Sequence, residues 1–173
     1  MAPQLALLDP YRPGTGWLHR ADPRVKLALV LGFIIGVTAT PPGAWPVFLL
    51  LAGLEWAVVL TSGLTVSLVL RRSMVALPFV LVALPSVFAR GGEPLAILPL
   101  AGWRLTATDE GLVFFASVVI KSWVAVIAAG TLAAATPFPE LLRGMRFLRV
   151  PGVLVALVSF TYRYLFVLVH EAV

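Results

Sequence analysis

Residues 111–135, GLVFFASVVIKSWVAVIAAGTLAAA, decide the fold. This run of 25 residues carries one charge, Lys121. A helix that crosses a bilayer needs about 20 predominantly apolar residues, so the run reads as a membrane span. Its second half is dense in small residues: Ala125, Ala128, Ala129, Gly130, Ala133, Ala134 and Ala135. In lipid such residues let helix backbones approach closely, which places this span at the centre of a bundle. Thr136-Pro137-Phe138-Pro139 ends it.

The remainder of the chain is composed in the same way. Of its 173 residues, 60% are hydrophobic and 12% charged, against roughly 25% charged in soluble domains. The composition predicts an all-α integral membrane protein with one membrane domain. Asp22-Pro23 reads as an N-cap followed by proline at the first helical position. It opens a first span, 23–39, whose Arg24 and Lys26 are expected to snorkel to the surface. Thr40-Pro41-Pro42-Gly43 is a tight turn into a second span, 44–62, and 63–72 is a connection ending in Arg71-Arg72. The third span, 73–89, carries Pro78 and Pro85, which should kink or break it. Residues 90–110 read as a loop with a short interfacial piece over 95–105. The fourth span is the opening run. The expected layout is therefore a polar segment 1–22, a four-span bundle 23–135, and a basic loop with an amphipathic helix over 136–173. The first 26 residues, with Pro3, Pro10, Pro13 and Pro23, hold no apolar core of a cleavable signal peptide.

Basic residues alternate with the spans. Arg12, Arg20, Arg24, Lys26, Arg71, Arg72, Arg143, Arg146 and Arg149 fall on one side, and only Arg90 and Arg104 on the other. Nine against two predicts a cytoplasmic N-terminus and cytoplasmic basic loops. The net charge of +5 is thus a topology signal. It does not gather into a basic patch with stacking aromatics, so no nucleic-acid partner is expected.

Arg143, Arg146 and Arg149 repeat every third residue on a short cytoplasmic helix expected to start near Pro139–Glu140. They can anchor to lipid headgroups or dock an acidic partner. After Val150-Pro151-Gly152 comes an apolar run in which Ser159, Arg163, His170 and Glu171 share one helical side. If that run crossed the membrane, Arg163 would lie about 18 Å from Pro151 by helix rise, where a lone arginine is costly. The run is therefore expected to lie at the cytoplasmic interface or beneath the bundle.

Two charges lie inside spans, Glu55 and Lys121. Counted from the starts of their spans they sit at matching depth, about 15 Å in. Intramembrane ionisable groups pair or line polar paths, so the two either form an ion pair or face separate cavities. No catalytic or metal constellation appears. His19 and His170 are the only histidines, cysteine is absent, and Gly91-Gly92 lacks the Lys and Ser/Thr of a phosphate loop. No cofactor is expected. A stand-alone channel or secondary carrier, which favours matched broken helices in two halves, and an intramembrane enzyme using Glu55 and Lys121 are the alternative readings.

The stretch Trp17-Leu18-His19-Arg20-Ala21-Asp22-Pro23-Arg24-Val25-Lys26-Leu27 closely resembles the N-terminal signature of the transmembrane (T) component of energy-coupling factor transporters, nearest to the cobalt-type CbiQ family. Thr136-Pro137, Leu141-Leu142, Arg146 to Pro151, and Phe160-Thr161-Tyr162-Arg163-Tyr164-Leu165 through Glu171 resemble the family segment that leads into its coupling helices. The resemblance implies a non-catalytic prokaryotic cell-membrane scaffold joining cytoplasmic ABC-type ATPases to a small substrate-binding S subunit, for import of cobalt, nickel or a vitamin. Asp22, Pro23, Arg24 and Lys26 would fix the first helix at the cytoplasmic face. Pro151, Arg163, Tyr164 and Glu171 would shape the coupling region, with Arg163 paired to Glu171 or to a partner's carboxylate. The family's Ala-Arg-Gly-type coupling motifs follow the Arg-Tyr helix and would fall beyond Val173. Ala89-Arg90-Gly91 mimics one, but on the outer side.

Overall fold

The computed structural model describes Tyr11, residues 16–100 and residues 103–171. After a single turn, α1 (Trp17–Arg20), the signature acts as a helix start. Asp22 Oδ1 accepts the Arg24 N–H at 2.9 Å, and Pro23 takes the first position of α2 (Pro23–Ala39), where a missing N–H costs nothing. Gly43, at φ +81°, makes the turn into α3 (Trp45–Thr61) in a conformation that only glycine adopts cheaply.

The next stretch departs from the sequence reading. Helix resumes at Val66, so most of 63–72 is not a loop: α4 (Val66–Ser73) buries Val69 and carries Arg71 on a helix. A 3₁₀ turn, Met74–Ala76, leads into α5 (Leu77–Ala83) and α6 (Ser86–Ala89). The breaks expected from the prolines are present: Pro78 sits in the first turn of α5 and Pro85 caps α6.

Residues 94–108, expected to be a loop with an interfacial piece, form a hairpin of β1 (Pro94–Leu100) and β2 (Trp103–Thr108). The strands are antiparallel, with Ile97 opposite Thr106 and Pro99 opposite Arg104. The all-α expectation holds for the bundle and fails for this link. The reason is visible in Ile97, Trp103, Thr106 and Thr108, residue types that suit a pleated surface, while both prolines are tolerated because a two-stranded sheet consists only of edges.

Thr108 then caps α7 (Asp109–Ala135), its hydroxyl accepting the Gly111 N–H. Asp109 and Glu110 occupy the first turn, where the helix dipole favours negative charge. Beyond α7 lie α8 (Phe138–Phe147) and α9 (Gly152–Glu171). As its small residues predict, α7 is the hub: it packs against α2, α3, α4, α5, α6 and β2. Val59, Leu64, Val69, Ile127 and Ala134 form a buried core there, with Trp56 packed against it.

The surface is the inverse of a soluble protein's. Leu49, Leu81, Val82 and Val153 are more than 70% exposed, while Glu55, Lys26, Ser62, Ser117 and Thr131 are buried. Contiguous exposed apolar surface on this scale belongs against lipid or a partner. Among the described residues, Val69–Ala89 and Asp109–Ala135 are long and apolar enough to cross a membrane, and Trp45–Thr61 and Gly152–Leu168 are shorter apolar helices.

The end of α7 at Gly111 is a close crossing. A β-carbon there would run into the Val87 carbonyl of α6 and stand 2.8 Å from Thr108 Oγ1. Gly111→Val is expected to force α6 off α7 and destabilise the protein by about 1–3 kcal/mol, the usual cost of overpacking. Thermal unfolding in detergent reads this directly, and an unchanged midpoint would show that the crossing is loose.

Candidate functional site

Asp22, Pro23, Arg24 and Lys26 meet the start of α8 at the end of the bundle where α2 begins and α7 stops. The surprise is Lys26. It does not snorkel outward but is 4% exposed, and its Nζ donates to the Ala135 carbonyl at 3.3 Å. The physical reason is the helix end: the last carbonyls of α7 have no intrahelical partner and carry partial negative charge. Asp22 and Glu140 add their charges around the same ammonium. One side chain thus ties α2 to α7 beside the start of α8.

Helix α8 then folds back along α2. Gly144 is buried at this contact; a β-carbon there would lie 2.9 Å from Leu27 Cδ2 and 3.4 Å from the Pro23 carbonyl. The Arg24 guanidinium lies 5.7 Å from the centre of the Phe147 ring, a cation–π contact on the same seam. Arg143 and Arg146 are exposed on the helix. Arg149 is exposed as well, but beyond the helix end and in the left-handed region at φ 60°. The three arginines therefore do not form one helical row, because the chain reverses before the third.

At its other end α8 holds α9. The Phe138 ring stacks on Tyr162 with centroids 4.1 Å apart and planes 15° apart, and Tyr162 meets Phe166 edge-on at 4.6 Å. Val155 is fully buried, and the carbonyl of Pro151 accepts the N–H groups of Leu154 and Val155, so Pro151 starts the helix. Ser159, Arg163, Tyr164 and Glu171 are exposed. Arg163 and Glu171 are eight residues apart on one helix, about 12 Å by rise. Among the described residues no ion pair joins the two within α9.

The proposed Glu55–Lys121 pair is also absent. Lys121 Nζ donates to the carbonyls of Thr38 at 3.0 Å and Thr40 at 2.5 Å, with the Phe48 ring centre 6.0 Å away. Glu55 is buried, and its Oε1 has no hydrogen-bond partner. The cause is register. The Gly43 N–H donates to Ser117 Oγ, so α3 begins about a third of the way along α7 and Glu55 ends beside Thr131 instead. Arg90, in the Ala89-Arg90-Gly91 mimic, sits 3.5 Å above the centre of the Phe114 ring, near the opposite end of α7 from Ala135.

Sequence reading missed Gly144, Phe138 and Thr131. A glycine inside a short helix signals a packing contact and could have been read as one; the Phe138–Tyr162 stack joins two helices and left no local signal. Among the described residues there is no group of three or more His, Cys, Asp or Glu able to hold a metal.

These features define a helical membrane protein whose singled-out polar residues, the buried Glu55 apart, join helices or face outward. Residues 14–173 match the cobalt transport protein family CbiQ, and the chain belongs to that family, a membrane component of transporters. It is 30% identical to the energy-coupling factor transporter transmembrane protein EcfT of Lacticaseibacillus paracasei, over 88% of this chain and 59% of the relative. It is 27% identical to the cobalt transport protein CbiQ of Salmonella typhimurium, over 91% of this chain and 70% of the relative. EcfT of Listeria innocua is 29% identical over 87% of this chain and 56% of its own length. The chain thus spans under two thirds of both EcfT relatives.

Proposed function

We propose that the chain is the transmembrane coupling subunit of an ATP-driven importer of the energy-coupling factor type. In this reading it passes movement from cytoplasmic ABC-type ATPases to a small membrane subunit that binds the substrate, a cobalt or nickel ion or a vitamin. The observation that carries it is the attachment of α8. The helix is latched to the bundle through Gly144 and to α9 through Phe138, while Arg143 and Arg146 stay exposed. A partner pushing on those arginines moves a helix already joined to two membrane-facing elements. Family membership and the names of the EcfT relatives support the same role.

The asymmetry of basic residues supports a cytoplasmic N-terminus, which puts α8 on the ATPase side. Residues 1–22 then form the cytoplasmic lead-in, 23–135 the membrane bundle, and 136–173 the start of the coupling region. Pro151, Arg163, Tyr164 and Glu171 contribute to that region by starting and facing α9 toward partners.

The test is affinity purification of the full-length protein in mild detergent, with mass spectrometry of what accompanies it. An ABC-type ATPase together with a small membrane protein is the expected result. A solitary protein with an intact C-terminus would overturn the coupling role and favour a stand-alone carrier. Charge reversal at Arg143, Arg146 and Arg149 together is expected to lower ATPase recovery at least tenfold. The thermal midpoint should hardly move, because exposed charges contribute little to stability.

A further inference from the structure

Helix α8 ends in a tight reversal. The Arg149 N–H donates to the Arg146 carbonyl at 3.1 Å, and the Val150 N–H to the Met145 carbonyl at 3.2 Å. These two bonds close a Schellman motif, whose turning residue adopts the left-handed conformation and is usually glycine. Here that residue is Arg149, at φ 60°. The other positive-φ positions are held by Gly43, Gly63 and Gly92, so Arg149 is the one exception among the described residues. A β-carbon in this conformation crowds the following carbonyl and costs stability, which glycine would avoid.

Within the chain the side chain returns nothing for that strain. Arg149 is exposed, and among the described residues its guanidinium has no hydrogen bond, ion pair or ring contact. Its backbone is nevertheless held from both sides. Gly144 seats α8 against Leu27, and Val150 precedes Pro151, which narrows its backbone freedom. Phe147 and Leu148, 58% and 36% exposed, come directly before it, and the Arg24 guanidinium lies over the Phe147 ring. An arginine beside exposed apolar side chains is the usual make-up of an interface hot spot, where the apolar rim excludes water. A fluid lipid headgroup takes an arginine in many orientations and gains nothing from a strained, preset backbone. A carboxylate on a folded partner does gain, because the group it meets is already ordered.

We infer that Arg149 is the anchor by which this chain holds its ATPase partner. Its guanidinium forks onto one partner carboxylate, while Arg143 and Arg146 steer the encounter. This assignment rests on the coupling role proposed above. The division follows from exposure: rim charges act on association and its salt dependence, whereas a desolvated charge pair acts on dissociation.

The experiment places the full-length protein in nanodiscs and binds to it the ABC-type ATPase recovered with the wild type, reading association and dissociation rates separately. Arg149→Gly is expected to raise the thermal midpoint by roughly 2–4 °C and to accelerate ATPase dissociation at least tenfold. Arg149→Asn tolerates the same backbone without the freedom of glycine and should accelerate dissociation equally. Arg149→Lys keeps the charge but loses the fork, so it should fall between. Arg143→Ala with Arg146→Ala should slow association and flatten its salt dependence, with dissociation changed less than twofold. Unchanged dissociation in Arg149→Gly and Arg149→Asn would overturn the anchor and leave the coupling role standing. Dissociation that follows the anionic-lipid content of the nanodisc, and not residue 149, would assign the corner to headgroups and overturn it as well. Recovery of no ATPase with the wild type would overturn both.

Discussion

Lys26→Met is expected to lower the thermal midpoint of the detergent-solubilised protein by several degrees and to reduce ATP-dependent uptake by the assembled transporter at least tenfold. The stability effect follows from what the ammonium touches. A hydrogen bond to a charged group contributes about 1.5–3 kcal/mol, and a cation at a partly buried helix C-terminus up to about 2 kcal/mol. The Ala135 carbonyl receives both kinds of stabilisation from Nζ. Methionine fills similar space, so the neighbouring contact of Leu27 with Gly144 should survive, and the loss isolates the polar contact. A net change of about 2 kcal/mol corresponds to roughly 4–8 °C in a chain of this size.

The transport effect follows from position. Lys26 joins α2 to the end of α7, and α8 leaves from that end and lies back along α2. In the proposed coupling role, loss of the tie would let a push on α8 be absorbed by slippage at the 135–138 link before it reached α7. Arg at position 26 keeps the charge in a larger, planar group, so it should recover stability only in part. Measuring unfolding and reconstituted uptake on the same samples separates the two effects. Full uptake by a destabilised Lys26→Met protein would confine the residue to stability; a midpoint within about a degree of wild type would remove it from both roles.

What the sequence made legible was local. Asp22-Pro23 announces a helix start because the cap bond spans two residues, and Pro78 and Pro85 announce breaks because each lacks a backbone donor. The centrality of α7 was readable from its alanines, since close approach in lipid depends on side-chain size. The errors at the buried charges were tertiary. Lys26 near a membrane end suits snorkelling until the orphan carbonyl of Ala135, 109 residues away, is brought beside it. The depth match of Glu55 and Lys121 assumed that both spans start at one level. The Gly43–Ser117 bond offsets them, and no pattern within either helix encodes that offset. The hairpin 94–108 was obscured because Gly91-Gly92, Pro94 and Pro99 signal a loop, while cross-strand pairing is not a property of either strand alone.

The same offset makes Lys121→Met the second large effect. Its two acceptors, the carbonyls of Thr38 and Thr40, are at the end of α2, where backbone acceptors have no helical partner. Removing the ammonium takes the donor from both at once, one bond exposed and the other half-buried, and a hydrogen bond to a charged group contributes about 1.5–3 kcal/mol. The Gly43–Ser117 bond remains, so the turn should loosen without detaching, for a total of about 2–4 kcal/mol. Glu55→Gln, in contrast, should move stability by less than about 1 kcal/mol, because Oε1 has no hydrogen bond to lose and the amide keeps the size and shape of the carboxyl. The double-mutant cycle then decides between pairing and separation. Independent sites add within about 0.5 kcal/mol, which is the result the geometry demands. A coupling above about 1 kcal/mol would mean that the two charges meet in a state other than this one, and that α3 slides along α7 by roughly three turns to bring them level.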